Sequence, residues 1–151
     1  MKKIAVIAPA DPEFKTFENT CEGDALFEKI KDLLKGYSEG LWLLSSLSLG
    51  VETLAATAVL RLKEEYPVFL ECVIPFEEQA KDFPEADRDR YFYILEKCDK
   101  ETLLQTRYSS DAEEKRLRYM TEAVDEIITY GELPLKARTI ITESGKKIIK
   151  L

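Results

Sequence analysis

Hydrophobic and polar positions along the chain form two alternating patterns. Short, continuous apolar runs are typical of strands that are covered on both faces. Between them, apolar residues recur every three or four positions, which is typical of amphipathic helices. The predicted strands are residues 3–8, Leu41–Leu44, Val68–Ile74, Thr102–Thr106 and Glu126–Tyr130. Strands that alternate with helices at spacings of about 30 residues predict βαβ units and a doubly wound parallel sheet.

Helix boundaries follow from the periodicity and from end signals. Gly36 and Pro67 stop the first two helices, and Ser110–Glu113 has the pattern of a capping box. Glu13–Gly23 shows no period and is predicted to be a loop. The predicted helices lie around Leu26–Leu34, from about Val51 to Tyr66, from about Pro84 to Cys98, and after Ser110–Glu113 with Leu117, Met120 and Val124 facing inward.

The C-terminal segment fits two structures. Residues 139–143 and 146–151 contain β-branched residues and flank Ser144 and Gly145, which favours a β-hairpin. The same residues fit a short helix that ends at Gly145, followed by a last strand at Ile148–Leu151. The pattern does not separate helix from hairpin over residues 136–145.

The segment from Leu41 to Thr53 carries the candidate chemistry. A strand passes through small polar residues to a single glycine, Gly50, and then into a helix. The free N–H groups and the dipole of such a helix start favour a phosphate or carboxylate. Ser46 and Ser48 add hydroxyl groups, and Glu52 is either a ligand or catalytic carboxylate or a partner of the helix dipole. Capping alone also explains small polar residues here, and one glycine matches neither a dinucleotide fingerprint nor a P-loop.

In a doubly wound sheet, ligands bind at the carboxyl ends of the strands. The residues predicted to bind a ligand there are Pro9, Ser45, Ser46, Ser48, Gly50, Glu52, Pro75 and Phe76. Phe76, Phe83 and Tyr91 fit either an apolar wall for a base or the core. Arg116 and Arg118 either reach a ligand anion or, as we expect, belong to a solvated helix face with nearby glutamates.

Composition narrows the classes of function. The chain has 151 residues and a net charge of −7, which predicts one domain over residues 1–151 and makes nucleic acid an unlikely partner. It has no histidine, which excludes Ser-His and Cys-His nucleophiles and HExxH zinc sites. Three well-separated cysteines without a CxxC pair fit reduced thiols in a cytoplasmic protein. We expect no membrane span and no cofactor.

Several segments together resemble the YpsA-like family of the SLOG superfamily. They are Gly50–Thr53, Leu62–Pro67, Ile74–Gln79, Asp87–Tyr91, Tyr108–Ser109 and Lys115–Met120. The resemblance implies a Rossmann-like fold of about five to six strands with helices on both faces, shared with lysine-decarboxylase-like phosphoribohydrolases and DprA. It also implies a nucleotide or nucleotide-derived ligand, and it favours the helix before the last strand.

The chain departs from this family mainly at the ligand loops. Ser46 stands where the family has a glycine, Glu52 where it has aspartate, and Leu117 where it has asparagine. Ala8–Pro12 lacks the glycine and arginine of the family's first loop. Leu135–Ala137 replaces its Gly-Gly-Thr loop.

The resemblance and these departures together predict a non-catalytic domain that binds a nucleotide-derived small molecule or acts through protein partners. The alternative is a phosphoribohydrolase-type enzyme that cleaves the N-glycosidic bond of a nucleoside monophosphate with Glu52 as its carboxylate. A homo-oligomer is expected by analogy with related folds.

Overall fold

The computed structural model describes residues 1–11 and 21–151, within which six strands alternate with five helices. The elements are β1 (Lys2–Ile7), α1 (Cys21–Lys35), β2 (Leu41–Ser45), α2 (Val51–Leu62), β3 (Val68–Ile74), α3 (Glu85–Lys97), β4 (Lys100–Leu103), α4 (Ala112–Glu122), β5 (Glu126–Thr129), α5 (Leu135–Glu143) and β6 (Lys147–Lys150). The loop predicted over Glu13–Gly23 lies outside the described residues as far as residue 20. Its last residues, from Cys21, belong to α1.

The strands form one sheet in the order β4-β3-β2-β1-β5-β6, and every neighbouring pair is parallel. The doubly wound α/β prediction is therefore confirmed. The chain moves outward from β1 to β4 and then returns to β1's other side as β5. Ligands of such sheets bind beside the carboxyl ends of the strands, where the strand order reverses.

Helices cover both faces of the sheet. In β1, Ile4 and Val6 join the cluster that packs under α1, α2 and α3, whereas Ala5 and Ile7 join the cluster under α4 and α5. All four of these side chains are fully buried. Burial on both faces explains why the strand appears in the sequence as a continuous apolar run rather than an alternating one.

The C-terminal segment is helix followed by strand, and the hairpin alternative is wrong. Ala137, Ile140 and Ile141 form one apolar stripe of α5 that packs into the core cluster under α4 and α5. Gly145, with a φ of 70°, follows the helix. The chain then enters β6, which pairs parallel with β5, and a hairpin strand would have to be antiparallel.

Smaller differences concern where elements begin and end. Strand β4 starts at Lys100, two residues earlier than predicted, because Glu71 of β3 pairs in register with Lys100. The predicted capping box is also absent, since α4 is preceded by Asp111 and no side chain caps it. Helix α2 ends at Leu62 instead of about Tyr66. Of the helices described, none is long and apolar enough to cross a membrane.

Candidate functional site

The loops after β1, β2 and β3 lie side by side at the carboxyl edge of the sheet. Asp11 donates its backbone N–H to the carbonyl oxygen of Leu49 at 2.9 Å. The Gln79 side-chain amide donates to the carbonyl oxygen of Ser46, also at 2.9 Å. The ligand-binding residues predicted from the sequence lie on these loops, apart from Ser45, which is the last residue of β2, and Glu52, which is in the first turn of α2.

Glu52 lies inside the protein rather than on its surface. Its side chain is fully buried, and its carboxylate accepts backbone N–H groups from Ala8 and Ser46, each at 3.2 Å. The Arg116 guanidinium donates to both carboxylate oxygens, at 3.1 and 3.2 Å. The protein's own carboxylate therefore occupies an anion position at the ends of β1 and β2.

Arg116 corrects the prediction that this part of α4 is a solvated face. It is only 5% exposed, with one guanidinium nitrogen on Glu52 and the other two on Glu113. Burial alone would lower the pKa of Arg116, but the two carboxylates outweigh burial and raise that pKa. Glu113 three residues away looked like a surface partner in the sequence. The second partner, Glu52, is 64 positions away and becomes visible only in the fold.

The hydroxyl groups of Ser45 and Ser46 are also committed to the protein. Ser45 donates to the carbonyl oxygen of Glu52 at 2.8 Å and accepts the N–H of Leu47 at 3.2 Å. Ser46 lies 2.9 Å from the sulfur of Met120 and accepts a hydrogen bond from Arg116 at 3.0 Å. Both serines are fully buried, so they support the corner from within. That they bind a ligand remains a prediction.

The turn from Leu47 to Gly50 differs from the hydrogen-bonded interior around Glu52 in its backbone conformation and in its unpaired polar groups. Leu47 has a φ of 57°, an uncommon conformation for a non-glycine residue, and Gly50 has a φ of 108°. Within the described residues, the buried hydroxyl of Ser48 has no hydrogen-bond partner, and no side chain caps the start of α2 at Gly50. Strain and unmet polar groups are typical of functional loops.

Pro9 lies at the point where the strand order reverses. A Cβ atom placed on Gly131 would be 3.4 Å from the Pro9 ring, so the loops after β1 and β5 are in contact. The proline ring occupies space at the crevice where a ligand of this architecture usually lies. Its role as a ligand residue stays a prediction.

A cleft that we call the aromatic cleft, because Phe76 and Tyr108 line it, lies at the same carboxyl edge of the sheet, beyond β3. It has a volume of about 430 Å³, and Phe76, Tyr108 and Arg107 are among the residues that line it. The rings of Phe76 and Tyr108 meet edge to face with centroids 5.2 Å apart, and Tyr108 is 69% exposed. Phe83 and Tyr91 do not extend this wall, because they contact each other at 5.7 Å and Tyr91 belongs to the core. Sequence periodicity missed Tyr108, which lies in a loop.

Metal ligation finds no support in the described part of the chain, where no cluster of three His, Cys, Asp or Glu residues could hold an ion. The site is instead a parallel-sheet edge with a buried ion pair and an aromatic cleft beside it. These features define a Rossmann-like α/β protein with a candidate binding edge.

Residues 13–138 match the YpsA family model, described as the YspA SLOG family, and the chain belongs to this family.

Known proteins show the same relationship. The chain is 32% identical to a UPF0398 protein of Bacillus cereus strain B4264 over 154 residues, covering 97% of this chain and 84% of the relative. A UPF0398 protein of Listeria monocytogenes serotype 4a is 36% identical over 118 residues, covering 75% of this chain and 65% of the relative.

Two solved structures have a similar fold. The DNA processing protein A (DprA) of Streptococcus pneumoniae gives a TM-score of 0.63 at 16% identity, covering 99% of this chain and 50% of DprA. The protein TM1055 gives a TM-score of 0.59 at 14% identity, covering 98% of this chain and 72% of TM1055. Identities this low show the fold alone, and the Rossmann-like fold implied by the resemblance is confirmed.

Proposed function

We propose that this protein is a non-catalytic binding domain for a nucleotide or nucleotide-derived small molecule, held at the carboxyl edge of the sheet. The observation that carries the proposal is the aromatic cleft of about 430 Å³ beside Phe76 and Tyr108. Ligand pockets are about 300–1,000 Å³, so the cleft is large enough for a base. An exposed aromatic ring offers a base a stacking surface, which contributes about 1–3 kcal/mol per base.

The phosphate end of the ligand is assigned to the start of α2. The aromatic cleft and the Ser48–Gly50 turn lie on neighbouring strand ends, which the Gln79 bond to Ser46 joins. Gly50 places no side chain over the first turn of α2, and the Ser48 hydroxyl has no partner within the described residues. A helix start of this kind attracts a phosphate.

The buried corner formed by Glu52, Arg116, Ser45 and Ser46, which we call the saturated corner, restricts where the ligand can lie. Glu52 already holds the Ala8 and Ser46 N–H groups, so a ligand phosphate at that position would have to displace a buried carboxylate. We therefore place the ligand outside Glu52, over the loop surface at Ser48 and Phe76, beneath which Gly50 and Pro75 are buried. A chain that binds no nucleotide would instead act through protein partners, the other half of the sequence-based hypothesis.

A thermal-unfolding screen against AMP, ADP-ribose and NAD tests the proposal. A ligand at 100 times its dissociation constant stabilises the folded state by about 2.7 kcal/mol, so a binding nucleotide raises the melting temperature with its concentration. Adenine-free ribose 5-phosphate is the control for the base. If none of the three nucleotides raises the melting temperature at millimolar concentration, the nucleotide-binding proposal fails and the partner role is favoured.

The phosphoribohydrolase alternative requires Glu52 to touch the substrate. Glu52 is fully buried and both of its oxygens are engaged by Arg116 and backbone N–H groups, a geometry suited to holding the fold. Incubation with AMP followed by chromatography tests the alternative directly. Release of free adenine that is abolished in Glu52→Gln, in a variant shown to be folded, would establish the enzyme and overturn the non-catalytic proposal.

A further inference from the structure

A second cleft, distinct from the proposed nucleotide site, lies near the β6 edge of the sheet. It lies between α5 and the carboxyl ends of β5 and β6, and its volume is about 430 Å³. We call it the α5 cleft. It is lined by Thr129, Gly131, Glu132, Leu133, Arg138, Ile141, Thr142, Ile148 and Lys150. The aromatic cleft lies beyond β3 near the opposite edge of the sheet, so the two clefts share no residue.

Four polar side chains that line the α5 cleft make no side-chain hydrogen bond or ion pair to the described part of the chain. In residues 1–11 and 21–151, neither Arg138 nor Lys150 forms an ion pair, and the hydroxyls of Thr129 and Thr142 form no hydrogen bond. The neighbouring Lys136, by contrast, pairs with Glu114 at 3.3 Å. Arg138, Thr142 and Lys150 are exposed, and together with Thr129 they offer hydrogen-bond donors to a ligand in this cleft.

The floor of the cleft is apolar. Leu133 and Ile141 are buried beneath it, and Ile148 of the edge strand, which also lines it, is 40% exposed. A ligand body that covered Ile148 would remove apolar surface from water, which is favourable. The cleft therefore matches a molecule with one charged end and one apolar side.

The charged residues that line the cleft indicate that the charged end of the ligand is negative. Arg138 and Lys150 against Glu132 give the lining a net charge of 2 − 1 = +1, in a chain whose net charge is −7. An arginine and a lysine that line the same cleft complement a phosphate, which carries up to two negative charges, better than a carboxylate, which carries one. Glu132 is left to accept a hydroxyl group of the ligand.

We propose that the α5 cleft binds an organic phosphate monoester, with the phosphate on Arg138 and Lys150 and the organic group against Ile148 and Ile141. The hydroxyl groups of Thr129 and Thr142 donate hydrogen bonds to the phosphate oxygens or to the ester oxygen. The site is independent of the proposed nucleotide site and stands or falls separately from it.

Titration of the isotope-labelled full chain with phenyl phosphate, followed by two-dimensional NMR, tests this site. The amide shifts are expected to change at residues 129–133, 138–142 and 148–150. The Arg138→Gln variant should weaken binding at least about tenfold, or about 1.4 kcal/mol, because it removes a charged hydrogen-bond donor to the phosphate. Lys136→Gln is the matched control, because Lys136 lies on the same helix but outside the cleft, and its affinity should equal that of the wild type.

Two further ligands separate the phosphate from the organic group. Inorganic phosphate should bind more weakly than phenyl phosphate, and benzyl alcohol should produce no shifts in the cleft. The proposal is overturned if phenyl phosphate shifts no amide in the α5 cleft, if its shifts fall only around Phe76 and Tyr108, or if Arg138→Gln binds as tightly as Lys136→Gln.

Discussion

Glu52 and Arg116 form a buried ion pair that ties the first turn of α2 to α4 across the end of the sheet. Sequence reasoning placed Glu52 at this corner as a ligand or catalytic carboxylate or as a partner of the helix dipole. The loop and the helix start were visible in the sequence, and the ion pair with Arg116 was not. The pair satisfies two strand-end N–H groups that would otherwise be buried without acceptors. Removing one member leaves an uncompensated charge inside the protein.

The Arg116→Met variant tests the structural role of this pair. We expect it to lower the free energy of unfolding by about 3–5 kcal/mol, the usual cost of leaving a buried charge without its partner. Arg118→Met on the same helix is the matched control, since Arg118 is exposed and its pair with Glu114 contributes little. Urea denaturation measures both. Equal stabilities of the two variants would show that the buried pair does not hold the corner.

Glu71 is a second buried acid, in the middle of the apolar strand β3. Its carboxylate accepts hydrogen bonds from Trp42 at 2.9 Å, Tyr119 at 2.8 Å and Thr102 at 2.9 Å. Burial alone would raise the pKa of Glu71, but the three hydrogen bonds and the nearby Lys100 outweigh it and lower that pKa. The strand pattern predicted burial at this position and gave no sign of the partners, which come from β2, β4 and α4.

The pH dependence of stability follows from the lowered pKa of Glu71. The folded state binds the Glu71 proton more weakly than the unfolded state, so the stabilisation is complete above the unfolded pKa of about 4.3. It is lost as the pH falls through the lower folded pKa. Denaturation of the wild type and Glu71→Gln from pH 7 to pH 3, followed by fluorescence of Trp42, the only tryptophan, measures this loss.

The Glu71→Gln variant is expected to lose less stability than the wild type between pH 5 and pH 3, although it starts from a lower value. Glu78→Gln, an exposed position, is the control and should follow the wild-type curve. If Glu71→Gln and the wild type lose the same free energy over that range, the hydrogen-bonded carboxylate is not the source of the acid sensitivity.

At the scale of the elements, the two glycines that flank α2 and α5 have different surroundings. Gly50 starts α2 with a φ of 108° and a ψ of −129°, and a Cβ atom there would be 3.4 Å from Asp11. Gly145 follows α5 with a φ of 70°, and a Cβ atom there would meet nothing within 4 Å. A side chain at position 50 would therefore have both an unfavourable backbone conformation and a neighbour in contact with it. A side chain at position 145 would have only the unfavourable left-handed conformation.

Alanine at these two positions is therefore expected to have unequal costs. Gly145→Ala should destabilise the protein by about 1 kcal/mol, the cost of a left-handed residue with a Cβ atom. Gly50→Ala should cost more, up to about 3 kcal/mol, because its conformation is almost restricted to glycine. Chemical denaturation measures both. A Gly50→Ala variant as stable as Gly145→Ala would contradict the strained start assigned to α2.

Local patterns were sufficient for most elements but not for their neighbours. The apolar runs located every strand, including β6, which was predicted at Ile148–Leu151 and observed at Lys147–Lys150. The stripe on α1 located that helix, because both signals arise within a few residues. The choice between helix and hairpin for residues 136–145 depended on the pairing of β6 with β5, which no local pattern contains. The burial of Arg116 likewise depended on Glu52, far away in the chain.

At the scale of the whole molecule, the order β4-β3-β2-β1-β5-β6 brings every candidate binding feature to the carboxyl ends of the strands. The saturated corner around Glu52 lies at the ends of β1 and β2, the aromatic cleft beyond β3, and the α5 cleft beside β5 and β6. The alternation of strands and helices predicted this edge. The side chains that fill or line each part of it come from different elements and needed the fold.

The proposed nucleotide binds outside the Glu52 corner, with its base on the aromatic cleft. Isothermal titration of AMP into the wild type, Tyr108→Ala and Tyr93→Ala measures whether the base stacks there. Tyr93 is the matched control, a tyrosine on α3 that is 57% exposed against 69% for Tyr108. Loss of base stacking of about 1–3 kcal/mol should weaken the AMP affinity of Tyr108→Ala at least about fivefold, whereas Tyr93→Ala should bind as the wild type does. Equal affinities of the two variants, or no AMP binding to the wild type, would contradict the account.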